Sequence, residues 1–409
     1  MKSLWYRLLS RLLVTLYYHR VRVMNPQLLP ADGPILFVAL HRNGAVDGYV
    51  YKSVIPRANF LISVQLRHSL LGRLFFSGVE VARGKDRPVT ETPHVHGDNA
   101  ALDACADYVK RGGALVIMPE GSSDLGHMHL PFRKGAARIL AQLALQPELP
   151  VRVVPLGIHY EQAWAWQSDV EIVVGEPVSI VLPKDMTPAA QVNLLHERIA
   201  HALEAVAVQA EHAEVFAERE RIAYAATLGS RRSYFAALKA LENGMPEAES
   251  MSAKLREKTT RTPGGSRLWL YQGVPLMPMG SAWAYPLLWA VLFPLVVLAC
   301  LCNVVPLLCA AWAGKRFNDG RNTIALWRLL VGFPCLLLWA AALLVAALWL
   351  QLLPLWFGYV AISALGLKSV RRVEKLGITL HNWAVAPALR QPLLQWRADL
   401  ESLVRADNV

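Results

Sequence analysis

The chain has 409 residues, of which 54% are hydrophobic, and 42 Lys and Arg against 31 Asp and Glu give a formal net charge of +11. That length allows two domains or more, and a mean hydropathy of +0.29 excludes a disordered or fibrous class. The positive balance favours an anionic partner: nucleic acid, an anionic lipid surface or an acidic carrier protein. The apolar C-terminal third points to the membrane.

Residues 1–20 come first. Leu4, Trp5, Leu8, Leu9, Leu12, Leu13, Leu16 and Tyr17 recur at helical spacing, interrupted by Arg7 and Arg11. Arg11 breaks any signal-peptide core and no small-residue cleavage site follows, so this segment is expected as an amphipathic, membrane-associated helix. Over residues 21–242, apolar runs at 35–40, 59–64, 78–81, 114–118, 151–157 and 170–174 read as strands. Stretches around 45–55, 98–111 and 133–145 read as helices, and 188–242 is helical by its apolar spacing. The alternation predicts an α/β domain with a mostly parallel sheet flanked by helices.

Residues 243–281 carry Asn243-Gly244, Pro246, a charged run to Arg261 and Pro263-Gly264-Gly265, which predict a polar linker. Residues 282–313 and 329–367 contain no charged side chain, so transmembrane or re-entrant helices are expected across 282–367, the first run crossing once or twice. Lys and Arg cluster at 254–267, 315–321 and 368–375. The positive-inside rule places all three flanks, and the tail 368–409, on the cytoplasmic side. The five cysteines, Cys105, Cys300, Cys302, Cys309 and Cys335, lie mostly in apolar sequence without metal-binding or disulfide spacing. A reducing compartment is expected for the catalytic domain.

Two strand ends carry the chemistry. The run at 35–40 leads into His41-Arg42-Asn43-Gly44-Ala45-Val46-Asp47. A carboxylate there can hold an imidazole in one tautomer and leave its other nitrogen free as a general base. Alternatively, Asp47 only caps the helix that follows. The run at 114–118 leads into Pro119-Glu120-Gly121-Ser122-Ser123, followed by Phe132-Arg133-Lys134-Gly135. Gly121 permits a tight turn, Ser122 and nearby backbone N–H groups suit an anion, Glu120 can accept from hydroxyls, and Lys134 opens a helix whose N-terminus favours negative charge. Arg83, Lys85 and Arg87 add cations just past the strand at 78–81, while Val154-Pro155 lies in the strand at 151–157. His94-Val95-His96 and His127-Met128-His129 lack a third ligand at useful spacing, so no metal is expected. No nucleophile elbow, P-loop or dinucleotide fingerprint occurs, and the basic stretch 254–267 lacks the interleaved aromatics of a nucleic-acid site.

These four segments, in this order over about residues 30–180, resemble the motifs of the glycerolipid acyltransferases. The resemblance implies that His41 is the base and Asp47 orients it, while Arg83, Lys85, Glu120, Gly121, Ser122, Lys134 and Gly135 shape the acceptor and phosphate site. It implies an acyl-CoA or acyl-carrier-protein donor as co-substrate, no further cofactor, and a glycerol-3-phosphate or lysophosphatidate acceptor. Five residues separate His41 from Asp47 where four are commoner, and Ser122-Ser123 replaces the usual Thr-Arg, so one phosphate-binding arginine is absent. Both departures are similar to the branch acting on glycerol-3-phosphate or dihydroxyacetone phosphate. Another lyso-lipid or alcohol acceptor, and an inactive lipid-binding scaffold, remain as alternatives.

Overall fold

The computed structural model describes residues 2–63, 68, 70–81, 95–146 and 148–406. The chain divides into two compact units, the first comprising Met1–Trp164, Ser168–Val208 and Asp319–Leu326. The second comprises Ala165–Gln167, Gln209–Asn318 and Trp327–Val409.

The first unit begins with α1 (Lys2–Tyr17) and β1 (Arg20–Met24), and continues with β2 (Ile35–Ala39), α2 (Val46–Val54) and β3 (Asn59–Ser63). After α3 (Leu70–Phe75), β4 (Val79–Val81) and α4 (Val95–Lys110) come β5 (Ala114–Ile117) and α5 (Gly135–Ala144). It closes with β6 (Arg152–Tyr160), β7 (Asp169–Val174) and α6 (Pro188–Val206). The seven strands form one sheet in the order β1-β7-β6-β2-β5-β3-β4. Among the described residues of this sheet, only the β6–β7 pair is antiparallel. Every residue of β2 is buried, as its unbroken Ile-Leu-Phe-Val-Ala run requires of a central strand covered on both faces. α6 starts at Pro188, and Thr187 caps it by accepting from the Ala190 N–H at 3.3 Å.

The α/β expectation therefore holds, with one strand added. β1 carries Arg20 and Arg22, whose charge masks a strand pattern; the sheet edge accommodates them by pairing with Asp169 and Glu171 on β7. The first helix is present, but it is apolar on more than one side. Leu9, Leu13, Val14 and Tyr17 are buried while Leu4, Trp5, Leu8 and Leu12 are exposed.

The second unit is helical: α7 (Ala213–Thr227), α8 (Tyr234–Ala240), α9 (Pro246–Arg261), a hairpin of β8 (Leu270–Tyr271) and β9 (Val274–Pro275), α10 (Ala284–Cys302), α11 (Val304–Arg316), α12 (Arg321–Trp349), α13 (Leu353–Val385) and α14 (Arg390–Ala406). The first residues of α12 are the exception, belonging to the first unit.

Residues 243–281, expected as a polar linker, are structured instead. Pro246 opens α9, Glu247 and Glu249 lie in its first turn, and Lys258 and Arg261 lie in its last, the arrangement the helix dipole favours. Leu255 packs with Met277, Ala386, Leu389 and Leu393. Gln272 and Gly273 both take positive φ, 51° and 75°, as a two-residue hairpin turn requires. Charge on one face concealed a helix that buries the other. The division between units at Val208 and Gln209 also precedes the boundary expected near residue 243.

Helices Ala284–Cys302, Arg321–Trp349 and Leu353–Val385 are long and apolar enough to cross a membrane. The first apolar run is broken into α10 and α11 at Asn303, a buried residue whose amide donates to Ala299 O at 2.8 Å and Ser363 Oγ at 2.7 Å. A Cβ on Gly366 of α13 would lie 2.4 Å from Ala299 Cβ of α10, so glycine is what lets these two helices approach closely.

Candidate active site

β2 lies between β5 and β6 and runs parallel to both, with Val38 opposite Ile117 and Ala39 opposite Leu156. The chain leaving all three strands therefore emerges at one edge of the sheet, the usual place for a ligand crevice in an α/β fold. His41 follows β2, Glu120 follows β5, and Tyr160 is the last residue of β6.

Asp47 is fully buried, and its carboxylate organises the first loop. Oδ2 accepts from His41 Nδ1 at 2.9 Å, from the Arg42 N–H at 2.6 Å and from the Asn43 N–H at 2.8 Å. Oδ1 accepts from the Tyr160 hydroxyl at 2.5 Å. Burial, and then the charge of Asp47, hold the Tyr160 phenol well above its usual pKa, so it remains a donor. The helix-capping alternative fails, since Ala45 occupies the N-cap of α2 and the Asp47 carboxylate reaches backward into the loop. A carboxylate can only accept, so Nδ1 of His41 carries the proton and Nε2 presents its lone pair. Behind the pair, buried Asn43 donates to Tyr18 Oη at 2.9 Å and Ala163 O at 2.8 Å.

Glu120, 2% exposed, joins the two loops. Oε1 accepts the His41 N–H at 2.7 Å and Oε2 the Leu130 N–H at 3.0 Å. Burial pushes its carboxyl upward, opposed by those two hydrogen bonds and by the charge of Arg42. Arg42 itself ties the 124–130 loop by donating to Gly126 O at 2.6 Å and Met128 O at 3.3 Å. Gly121 sits at φ 68°, a conformation glycine adopts without steric cost.

His41, Asp47, Glu120, Gly121 and Ser122 thus come together at one edge. Lys134 points elsewhere: it occupies the N-cap of α5, and its Nζ donates to Asn193 on α6 at 2.7 Å. The neighbouring Arg133 lies along the loop, where a Cβ on Gly121 would be 3.1 Å from its Cζ. Gly135 begins α5, with room for a side chain toward Leu102 of α4 at 3.8 Å. Arg83 and Lys85 lie outside the described residues. His129 stacks on Phe132 with ring centroids 4.2 Å apart, and among the described residues no three metal-ligating side chains converge.

Sequence reasoning passed over Tyr160, Asn43 and Arg133. The Phe-Arg-Lys-Gly run flagged a cation before a helix without indicating which of two adjacent cations faces the loop.

The family model described as Acyltransferase matches residues 20–159, which span His41, Asp47 and Glu120 and stop one residue short of Tyr160. Residues 20–159 are thus similar to an acyltransferase domain. Over 103 residues, the chain is 31% identical to glycerol-3-phosphate O-acyltransferase 2 of Saccharomyces cerevisiae, a match spanning 24% of this chain and 14% of the yeast protein. The solved 1-acyl-sn-glycerophosphate acyltransferase PlsC from Thermotoga maritima resembles it at 17% identity, with a TM-score of 0.35, over 51% of this chain and 80% of that one.

Proposed function

We propose that the protein transfers a fatty acyl group from an acyl thioester, acyl-CoA or acyl-carrier protein, to a hydroxyl of a phosphorylated glycerol acceptor. Glycerol-3-phosphate is the first candidate and lysophosphatidate the second. The observation that carries this reading is the His41–Asp47 pair, with Nδ1 committed to the carboxylate and Nε2 without a partner among the described residues. Among the described residues, no serine or cysteine side chain is hydrogen-bonded to His41, so the hydroxyl that loses its proton belongs to the acceptor.

In this mechanism Nε2 removes the acceptor proton as the oxygen attacks the thioester carbonyl. The imidazolium formed is stabilised by Asp47, and the tetrahedral intermediate expels the thiolate, which takes the proton back from His41. No acyl-enzyme forms. The acceptor phosphate meets Arg133 beside Gly121, with Ser122 and its N–H, in place of the arginine that Ser123 replaces. By the family resemblance, Arg83 and Lys85 add positive charge for the same phosphate.

The three long apolar helices anchor the enzyme in a bilayer, and the exposed Leu4, Trp5, Leu8 and Leu12 of α1 lie in its surface. The basic flanks support a catalytic domain on the cytoplasmic side. The lipid product is then released where it is used, in phospholipid synthesis.

The test is thiol release from acyl-CoA by the purified full chain, with glycerol-3-phosphate, dihydroxyacetone phosphate and lysophosphatidate in competition and products identified by mass. His41→Ala should abolish transfer while the fold persists, because the bond to Glu120 uses the His41 backbone N–H. Wild-type turnover in that variant would refute the mechanism.

A further inference from the structure

The first unit includes a segment distant in sequence from all the motifs, Asp319–Leu326. It contains the start of α12, meets each of the two active-site loops and also touches Trp164 beside them. The Asn322 amide donates to both the carbonyl oxygen and the hydroxyl of Ser123, each at 2.8 Å. The Asn322 carbonyl oxygen lies 2.9 Å from where a Cβ on Gly44 would stand, and Gly44 holds φ 56° midway between His41 and Asp47. The Arg321 guanidinium lies 5.0 Å over the Trp164 ring, next to Ala163, whose carbonyl accepts from Asn43. The segment is itself braced, with Thr323 Oγ1 donating to Gly320 O and accepting the Asp319 N–H, both at 3.1 Å.

We propose that Asn322 is a positioning residue of the acceptor site, seating the first turn of α12 on both active-site loops at once. The position where the family's motif has arginine is here a docking point: Ser123 turns its carbonyl and hydroxyl to the Asn322 amide. Among the described residues, the N–H groups of Ser122 and Ser123 have no acceptor. They are held open for an anion only while the Glu120–Ser123 turn keeps its shape. Asn322 fixes that turn from the side opposite the Glu120 bonds to His41 and Leu130. Gly44 is obligatory for the same reason: any side chain would meet the Asn322 backbone and displace the loop that carries His41.

The kinetic part of the test rests on the acyltransferase reading. In the full-length protein, Asn322→Ala should raise the acceptor KM about tenfold, the loss expected for two hydrogen bonds, and leave the thioester KM within about twofold. Asn322→Asp should be no better than Asn322→Ala, because its carboxylate faces the Ser123 carbonyl oxygen. Ser123→Ala keeps the backbone bond and should lose less, and the double variant should be no worse than Asn322→Ala alone. An unchanged acceptor KM in a folded Asn322→Ala protein would overturn the proposal. So would a fall in kcat alone that tracks lost thermal stability. If the wild type transfers no acyl group to any acceptor, the reaction reading fails and hydrogen exchange decides. Faster exchange at the Gly121 and Asp124 N–H groups, which flank the turn and are bonded to Met118 O and His41 O, supports the positioning role in Asn322→Ala, and unchanged exchange overturns it.

Discussion

Asp47→Asn isolates the electrostatic part of the proposed mechanism, because the asparagine keeps the shape of the buried carboxylate. An oxygen at the Oδ2 position still accepts from His41 Nδ1 and from the N–H groups of Arg42 and Asn43, and the new NH2 then faces the Tyr160 hydroxyl oxygen. What is lost is the charge that stabilises the imidazolium. His41 Nδ1 and Asp47 Oδ2 are 2.9 Å apart, and only 17% of the histidine side chain is exposed. With charge centres about 4 Å apart and an effective dielectric of about 20, the attraction is about 4 kcal/mol. The amide dipole retains part of it, and each 1.4 kcal/mol is about tenfold in rate, so kcat should fall roughly 100- to 1000-fold. The acceptor KM should change less than about threefold, since Asp47 touches no proposed substrate group. The cost in stability should be about 1–2 kcal/mol, the range for weakened hydrogen bonds, seen as a modest drop in Tm. The assay is thiol release from acyl-CoA at saturating acceptor, alongside a thermal melt. A folded Asp47→Asn protein with kcat within about threefold of wild type would refute the assignment of His41 as base.

Tyr160→Phe removes the donor to Asp47 Oδ1 and should lower kcat about five- to thirtyfold with little change in KM, read by the same assay. Arg133→Ala should raise the KM of a phosphorylated acceptor about tenfold while Lys134→Ala, which breaks only the exposed bond to Asn193, leaves it within about twofold; equal effects would refute the placement of the phosphate beside Gly121. Gly44→Ala should destabilise the protein by about 1–3 kcal/mol, since it combines positive φ with a close backbone contact; a melt reads it directly. Burial raises the Asp169 pKa, but hydrogen bonds from His19 and Arg20 and their charges outweigh it and leave the carboxyl lowered overall. The unfolded chain therefore takes up that proton first, so this stabilisation is complete above the ordinary carboxylate range and disappears as pH falls through it to the lowered value. Asp169→Asn should flatten the acid side of a Tm-versus-pH curve by that amount, and an unchanged slope would show that the carboxylate contributes nothing to acid sensitivity.

Much of the catalytic strand–loop pattern could be read from local sequence, and some of the surrounding structure could not. The buried runs before His41 and before Glu120 announce central parallel strands, because a strand covered on both faces has no polar alternation. The charge-free stretches likewise announce long apolar helices by length alone. Where charge decorated one face only, that reading failed: the pattern names no strand at 20–24 and makes 243–281 a linker, because Arg20, Arg22 and the Glu and Lys residues of 246–261 hide the side that packs.

The amino-acid order by itself determined which residues sit at the strand ends, and so which chemistry is present: an imidazole, a carboxylate six positions later, and a glycine turn with a serine beside it. Only the tertiary structure decided how those groups are held. Glu120 turned both oxygens to backbone N–H groups on separate loops, Tyr160 reached Asp47 across 113 positions, and Asn322 reached Ser123 across 199. Such partners are set by sheet register and by where a distant helix begins, and neither leaves a periodic trace. The choice between Arg133 and Lys134 is the smallest example. Two adjacent cations at a helix start point to different sides of the chain, and only the placement of α5 against α6 sends one to Asn193 and leaves the other beside Gly121.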